Sequence, residues 1–443
     1  MSKLLLLTFI LFYWGNVFAD APPPEYVQFR PEATKGALYK PDPDSFPTPN
    51  IAVILMHRDS NFLSHIATGE LSKRGFVVLA MNPRCDNNEA LCAPWENNAL
   101  DVKQGVEYLR DIPGIKSVVL FGHSGGGPTM SFYQAVAEKG VEFCQQPHKL
   151  IKCSNTHSNL PTADGLILWD AHPGNGVNEV RSIDPSVVND TEIIFNNALP
   201  EIDPTLDLFN PDNGYNPDGE SHYSDKFKNR YFRAQSARLN GLIDIALNQL
   251  QQIESGNHRY PDDDVFIVPR GNGSRLFIND LSVENSSDGP VKLLKDNGTI
   301  EDCCIVNSVR VHGQSAESRK TFNSGTLYLS LKSFLSVRSV RSTHAIDDID
   351  WCSTNNSAPC AVQNISVPLL VVTMGGHYFI RDGEIIYNMA TTSDKDYIVV
   401  EGATHGGTPC KSCVPGGQKY DGRYDNAVKN NFNYIADWIN KRY

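Results

Sequence analysis

The stretch "VVLFGHSGGGPTM", residues 118–130, decides the fold. An apolar run of the kind that fills a strand buried on both faces leads into a serine set among glycines, and a helix-like pattern leaves it. Gly122-His123-Ser124-Gly125-Gly126 fits G-x-S-x-G. The string alone is weak evidence, and a tight Gly-Ser turn without chemistry would produce it too. Its placement between a strand and a helix is stronger, because that is the setting of a nucleophile elbow. Such a turn holds its serine at strained backbone angles, and flanking glycines relieve the crowding where strand and helix nearly touch. The Ser124 hydroxyl would then project beyond the carboxyl ends of the strands. The Gly125 amide, at the helix N-terminus, would point at a developing oxyanion.

Working outward, short continuous apolar runs recur at residues 51–57, 76–82, 116–122 and 164–170. Helix-like stretches separate the first three at 62–74 and 96–109, and another follows at 128–139. Alternation at this rhythm predicts parallel βαβ units. Two more strands are expected late, at 368–374 and 396–402, followed by an amphipathic helix over 424–441. A strand, a turn and a strand are expected early, over 26–39. Residues 171–365 differ in character, being richer in Asn, Asp and Ser. They carry one strong helical pattern, 231–254, and short strand-like pieces "VFIVP", "RLFIND" and "TLYLSL". The expected organisation is a core over 20–170 and 366–443, interrupted by a cap over 171–365.

His405 lies in "VVEGATHGG", in the loop after the last expected strand, where a parallel sheet returns a histidine to the rim that holds Ser124. A serine needs such a base to be a good nucleophile. With "FGHSGGG", "ISVPLLVV" and "YIVVEGATHG" in this order, residues of about 51–170 and 365–443 resemble the α/β-hydrolase superfamily. The resemblance implies an α/β architecture with a mostly parallel central sheet flanked by helices. It also implies a large inserted cap of mixed α and β structure, a Ser-acid-His triad, an oxyanion hole and no cofactor. Ser124 and His405 match residue by residue.

The acid does not match. Aligned on Val367-Pro368, its usual position falls on His377, which cannot supply a carboxylate. Asp170, at the end of "GLILWD", is one replacement; Glu384 and Asp382, further along the usual loop, are the alternatives. A second oxyanion donor is expected in "LMHRDSN", from the amide of Arg58 or Asp59. Arg58 stands where the family commonly has glycine and puts a charge near the mouth. His57, His123, His172 and His377 also fall near the expected rim, and each taken singly reads as structural.

The resulting expectation is a serine hydrolase acting on a small-molecule carboxylic ester, lactone or related acyl bond. An amidase, a non-hydrolytic enzyme on the same scaffold and an inactive binding protein are the alternatives. The sequence leaves the substrate and the oligomeric state open.

Met1-Ser2-Lys3, an apolar run over 4–14 and the pattern Val17-Phe18-Ala19 predict a signal peptide, residues 1–19, and hence a secreted or periplasmic protein. The run is short of the roughly 20 residues that span a bilayer, and no later segment is long and apolar enough. Ten cysteines agree with export. Eight sit close together in the chain: Cys85 with Cys92, Cys144 with Cys153, Cys352 with Cys360, and Cys410 with Cys413. These read as short-loop disulfides. Cys303 and Cys304 are adjacent and would bond to each other or elsewhere. No metal is expected: "CKSC" has no second Cys or His pair beside it. Sequons at Asn189, Asn272, Asn285, Asn297, Asn355 and Asn364 would carry sugar on an exposed stretch. A net charge of −12 argues against nucleic acid as a partner.

Overall fold

Among the described residues, fourteen strands form in chain order: β1 Glu25–Gln28, β2 Lys35–Tyr39, β3 Ile51–Met56, β4 Val77–Asn82, β5 Ser117–His123, β6 Gly165–Trp169, β7 Val265–Val268, β8 Val291–Leu294, β9 Ile300–Cys304, β10 Leu327–Ser330, β11 Arg341–His344, β12 Asp348–Asp350, β13 Leu369–Met374 and β14 Lys395–Val400. Ten of them make one sheet in the order β1-β2-β4-β3-β5-β6-β13-β14-β8-β9. The strands from β4 to β8 in that order run parallel, and antiparallel pairs close both edges. The computed structural model describes residues 22–32, 34–85, 88–190, 200–312, 324–414 and 418–443. The expected signal peptide lies outside them.

The apolar runs become strands because both faces of the sheet are covered. Ala52, Ile54 and Met56 of β3 pack with Val102, Val106 and Met130 of the helices Asn98–Arg110 and Gly126–Lys139. The alternate residues Val53 and Leu55 pack on the other face with Leu71, Phe432 and Ile435 of the helices Ile66–Ser72 and Ala427–Asn440. A period of two thus divides one continuous apolar run between two cores.

Residues 171–365 build a third core around the helix Asp225–Glu254, which buries Leu239, Leu242, Ile243 and Ala246. Asp225 begins this helix six residues before the expected point, capped by Ser224, whose side chain accepts the Phe227 amide. The same stretch also supplies β8 and β9, which extend the main sheet beside β14. "RLFIND" is not a strand: Leu276–Asn279 forms one helical turn that buries Leu276 and Phe277. A short apolar run does not distinguish the two outcomes.

Four disulfides join the expected partners. Cys85 bonds to Cys92, with Cα atoms 5.0 Å apart, and Cys144 bonds to Cys153 at 5.6 Å. Cys352 bonds to Cys360 at 5.2 Å, and Cys410 bonds to Cys413 at 5.3 Å. All four separations suit a disulfide. The ends of "CKSC", Cys410 and Cys413, are thus bonded to each other. The Cys303 side chain lies outside the described set, so the expectation for Cys303 and Cys304 does too. The six sequons are not all exposed. Asn355 is 2% exposed, and its Nδ2 donates to Glu96 Oε1 and to the Ile151 carbonyl, each at 2.9 Å. A sugar on that nitrogen has no room. Among the described residues no helix is long and apolar enough to cross a membrane.

Candidate active site

β5 and β6 are neighbours in register, with His123 opposite Trp169. Ser124 and Asp170 therefore leave the two strands at the same level. Both take left-handed backbone angles, φ 54° and φ 41°. A non-glycine residue rarely sits there, so each is held by its surroundings. At the elbow, a Cβ on Gly122 would lie 2.6 Å from the Gly126 carbonyl oxygen, and one on Gly126 would lie 2.7 Å from that of Met56. Those contacts explain the glycines around Ser124.

Asp170 is fully buried. Its Oδ1 accepts the Met374 amide at 2.9 Å, and its Oδ2 lies 2.6 Å from His405 Nδ1. Burial pushes the carboxyl up, but His377 and His405 outweigh it and hold Asp170 well below the usual carboxylate range. His377 stacks on His405 with ring centres 4.5 Å apart, and its Nδ1 is 2.9 Å from the same Oδ2. That nitrogen lies off the line a hydrogen bond needs and has no partner of its own. The other two candidate acids are engaged elsewhere. Asp382 Oδ1 is 2.8 Å from the Arg181 guanidinium. The Glu384 oxygens accept the Asp288 and Gly289 amides, each at 2.7 Å.

Sequence reasoning missed what holds His405 from behind. The Ala67 amide donates to His65 Nδ1 at 3.2 Å, and His65 Nε2 lies 2.9 Å from His123 Nδ1. His123 Nε2 donates to the His405 carbonyl at 2.9 Å. Burial lowers the His65 pKa to about 4 and holds His123 well below its ordinary value. Both rings are therefore neutral, and the chain of donors fixes their tautomers. His65 belongs to no motif, so nothing in the sequence marked it.

Two of the expected oxyanion donors, the amides of Gly125 and Asp59, are directed at the His57 ring. The Gly125 amide donates to His57 Nε2 at 3.1 Å, and the Asp59 amide is turned toward Nδ1 of the same ring. His57 ends the run that contains β3 and packs against the elbow, which brings its ring to Gly125. Its Nδ1 is 3.0 Å from Asp59 Oδ1. Burial depresses its pKa although Asp59 opposes this, so the ring is neutral. The Arg58 guanidinium pairs with Asp59 at 2.9 Å and Glu89 at 3.0 Å rather than standing free at the mouth.

Ser124, His405, His57, His172 and His377 line one cavity of about 280 Å³. A larger groove of about 760 Å³ opens at the opposite end of the sheet, and no serine, cysteine or histidine among the described residues lines it. Two groups of donor atoms among the described residues are close enough to share a cation: Asp170, His377 and His405, and separately Glu220, His222 and Asp280. In the first group His405 Nδ1 is aligned on Asp170 Oδ2 itself, which is the place of a shared proton.

The sheet, the strained serine between β5 and its helix, and the chain order Ser, Asp, His are those of the α/β-hydrolase fold. No protein-family model and no curated protein matches the sequence. Among solved structures, the chain is similar to DcsB in complex with its substrate analogue, at 10% identity over 95% of this chain and 100% of that one, with a TM-score of 0.42. It is similar to a soluble variant of monoglyceride lipase from Saccharomyces cerevisiae, at 13% identity over 97% and 98% of the two chains, with a TM-score of 0.38. It is also similar to the acylaminoacyl peptidase of Pyrococcus horikoshii, at 9% identity over 96% of this chain and 43% of that one, with a TM-score of 0.40. Likeness at this level selects no substrate.

Proposed function

We propose that the chain is a serine hydrolase that cleaves a small-molecule carboxylic ester, lactone or related acyl bond. The observation that carries this reading is the 2.6 Å contact of His405 with Asp170, on the wall of the cavity that also exposes Ser124. Asp170 fixes the His405 tautomer with Nδ1 protonated, leaving Nε2 to act as base. Ser124 Oγ attacks the carbonyl carbon and His405 takes its proton. The tetrahedral oxyanion displaces His57 Nε2 from the Gly125 amide. The intermediate collapses, His405 returns the proton to the leaving alcohol, and the acyl group stays on Ser124. Water, activated by His405, then releases the acid and restores the serine.

The four disulfides support an oxidising compartment, and with the leader pattern they support export with cleavage near Ala19. One observation favours a second reading, a ligand-binding protein without turnover: the Gly125 amide is taken by His57.

Hydrolysis of p-nitrophenyl acetate by folded wild type and by Ser124→Ala tests the first reading. The expected result is activity in the wild type and a loss of at least about a thousandfold in the variant. Equal activity in both would refute it.

A further inference from the structure

The protein is acidic overall, with a net charge of −12, yet the cavity at Ser124 has the opposite character. Arg58, Arg275 and Arg338 line it, and no carboxylate among the described residues does. Two of these arginines are already neutralised. Arg58 pairs with Asp59 and Glu89, and Arg338 takes both Glu89 oxygens at 2.6 and 2.7 Å.

Arg275 differs. Its Nε donates to Ser182 Oγ and its Nη2 to Asn272 Oδ1, each at 3.0 Å. Both acceptors are neutral, and no carboxylate among the described residues lies within ion-pair reach of it. The two contacts orient the guanidinium and leave Nη1 without a partner among the described residues. A half-buried arginine held by neutral acceptors, with no carboxylate in ion-pair contact, is suited to take an anion.

The wall also carries unpaired polar atoms. Asn175 Oδ1 and His172 Nδ1 are buried and have no hydrogen-bond partner, and both residues line the cavity. Each residue is only 3% exposed. Buried polar atoms left unpaired are costly, but Asn175 Oδ1 is an acceptor and offers a carboxylate no hydrogen bond, so the anion is left to Arg275. The cavity volume, about 280 Å³, is at the small end for a ligand site. Among the described residues, Tyr378 and Phe379 are its only aromatic side chains apart from histidines. These walls suit a short polar acid and not a long acyl chain.

We propose that the substrate is a short ester bearing a carboxylate, and that Arg275 binds this carboxylate while Ser124 faces the scissile carbonyl. The proposal rests on the hydrolase reading above. Arg275 sets specificity; it takes no part in bond making or breaking.

The test compares p-nitrophenyl hemiglutarate with the neutral p-nitrophenyl pentanoate. The expected wild-type ratio of kcat/KM, acid ester over neutral ester, is well above one. Arg275→Gln keeps a polar side chain near Ser182 and should reduce the ratio roughly ten- to hundredfold, while Arg275→Lys should retain part of it. A wild-type ratio below one, or a ratio unchanged in Arg275→Gln, would overturn the proposal. Glutarate binding to Ser124→Ala, measured by calorimetry, requires no turnover and so separates this idea from the hydrolase reading. Binding that disappears when Arg275→Gln is added supports the proposal, and no binding to Ser124→Ala overturns it.

Discussion

Asp170 carries the largest single consequence of this account. It is the carboxylate placed on His405 Nδ1, while Asp382 holds Arg181 and Glu384 holds the loop at Asp288. Asp170→Asn should lower kcat by about 10⁴-fold, because an amide at this place favours the wrong imidazole tautomer. Asp382→Asn breaks the buried ion pair with Arg181, so it should lower stability while leaving a measurable kcat. Steady-state kinetics on the two purified variants, each checked by thermal melting, distinguishes them. Ser124 and His405 were legible in the sequence because a glycine-rich corner and a late loop histidine are local signals. The acid was not legible to the same degree. Three carboxylates occupied plausible places in the chain, and what separates them is the φ of 41° at Asp170 and its register with Ser124 across two strands. Neither quantity leaves a mark in a single sequence. Arg275 was hidden for a related reason, since it reaches the cavity from a stretch about 150 residues beyond Ser124 in the chain.

At the scale of elements, two glycines give opposite predictions. Gly122→Ala would put a methyl group 2.6 Å from a backbone oxygen in the tightest part of the elbow. It should cost about 3 kcal/mol of stability, since neither strand nor helix can move away. Gly241 sits within the helix Asp225–Glu254 with nothing within 4 Å of its Cβ position. Gly241→Ala should therefore raise stability by about 0.5–1 kcal/mol. Urea unfolding of both variants reads the two signs. The central strands were legible because burial on both faces makes them continuously apolar. β8 and β9 were not, because "VKLL" and "IEDCC" are short and only partly apolar, and they join the sheet from a stretch expected to be cap. The turn at Leu276 failed for want of length, with four residues too few to show a period.

Over the whole molecule, charge is arranged unevenly, and a buried acid makes stability depend on pH. Burial raises the Glu179 carboxyl from 4.5 to about 8, although Arg338 pulls it down. Between those values the folded state binds a proton that the unfolded state has lost, so stability should fall as pH climbs from about 5 to about 8. Glu179→Gln should flatten that slope, and melting temperatures across this range would show it; an unchanged slope would assign it to other groups. The composition gave a net charge of −12, but not the positive cavity. A cavity's charge depends on which few side chains converge, and a net count averages them away. The central claim is that Ser124 is an activated nucleophile, and the most direct measurement is intact mass after incubation with a fluorophosphonate. The account predicts a single adduct per folded chain, mapped to Ser124 and absent from Ser124→Ala. Folded wild type that takes up no label, or takes it up at another residue, would contradict it.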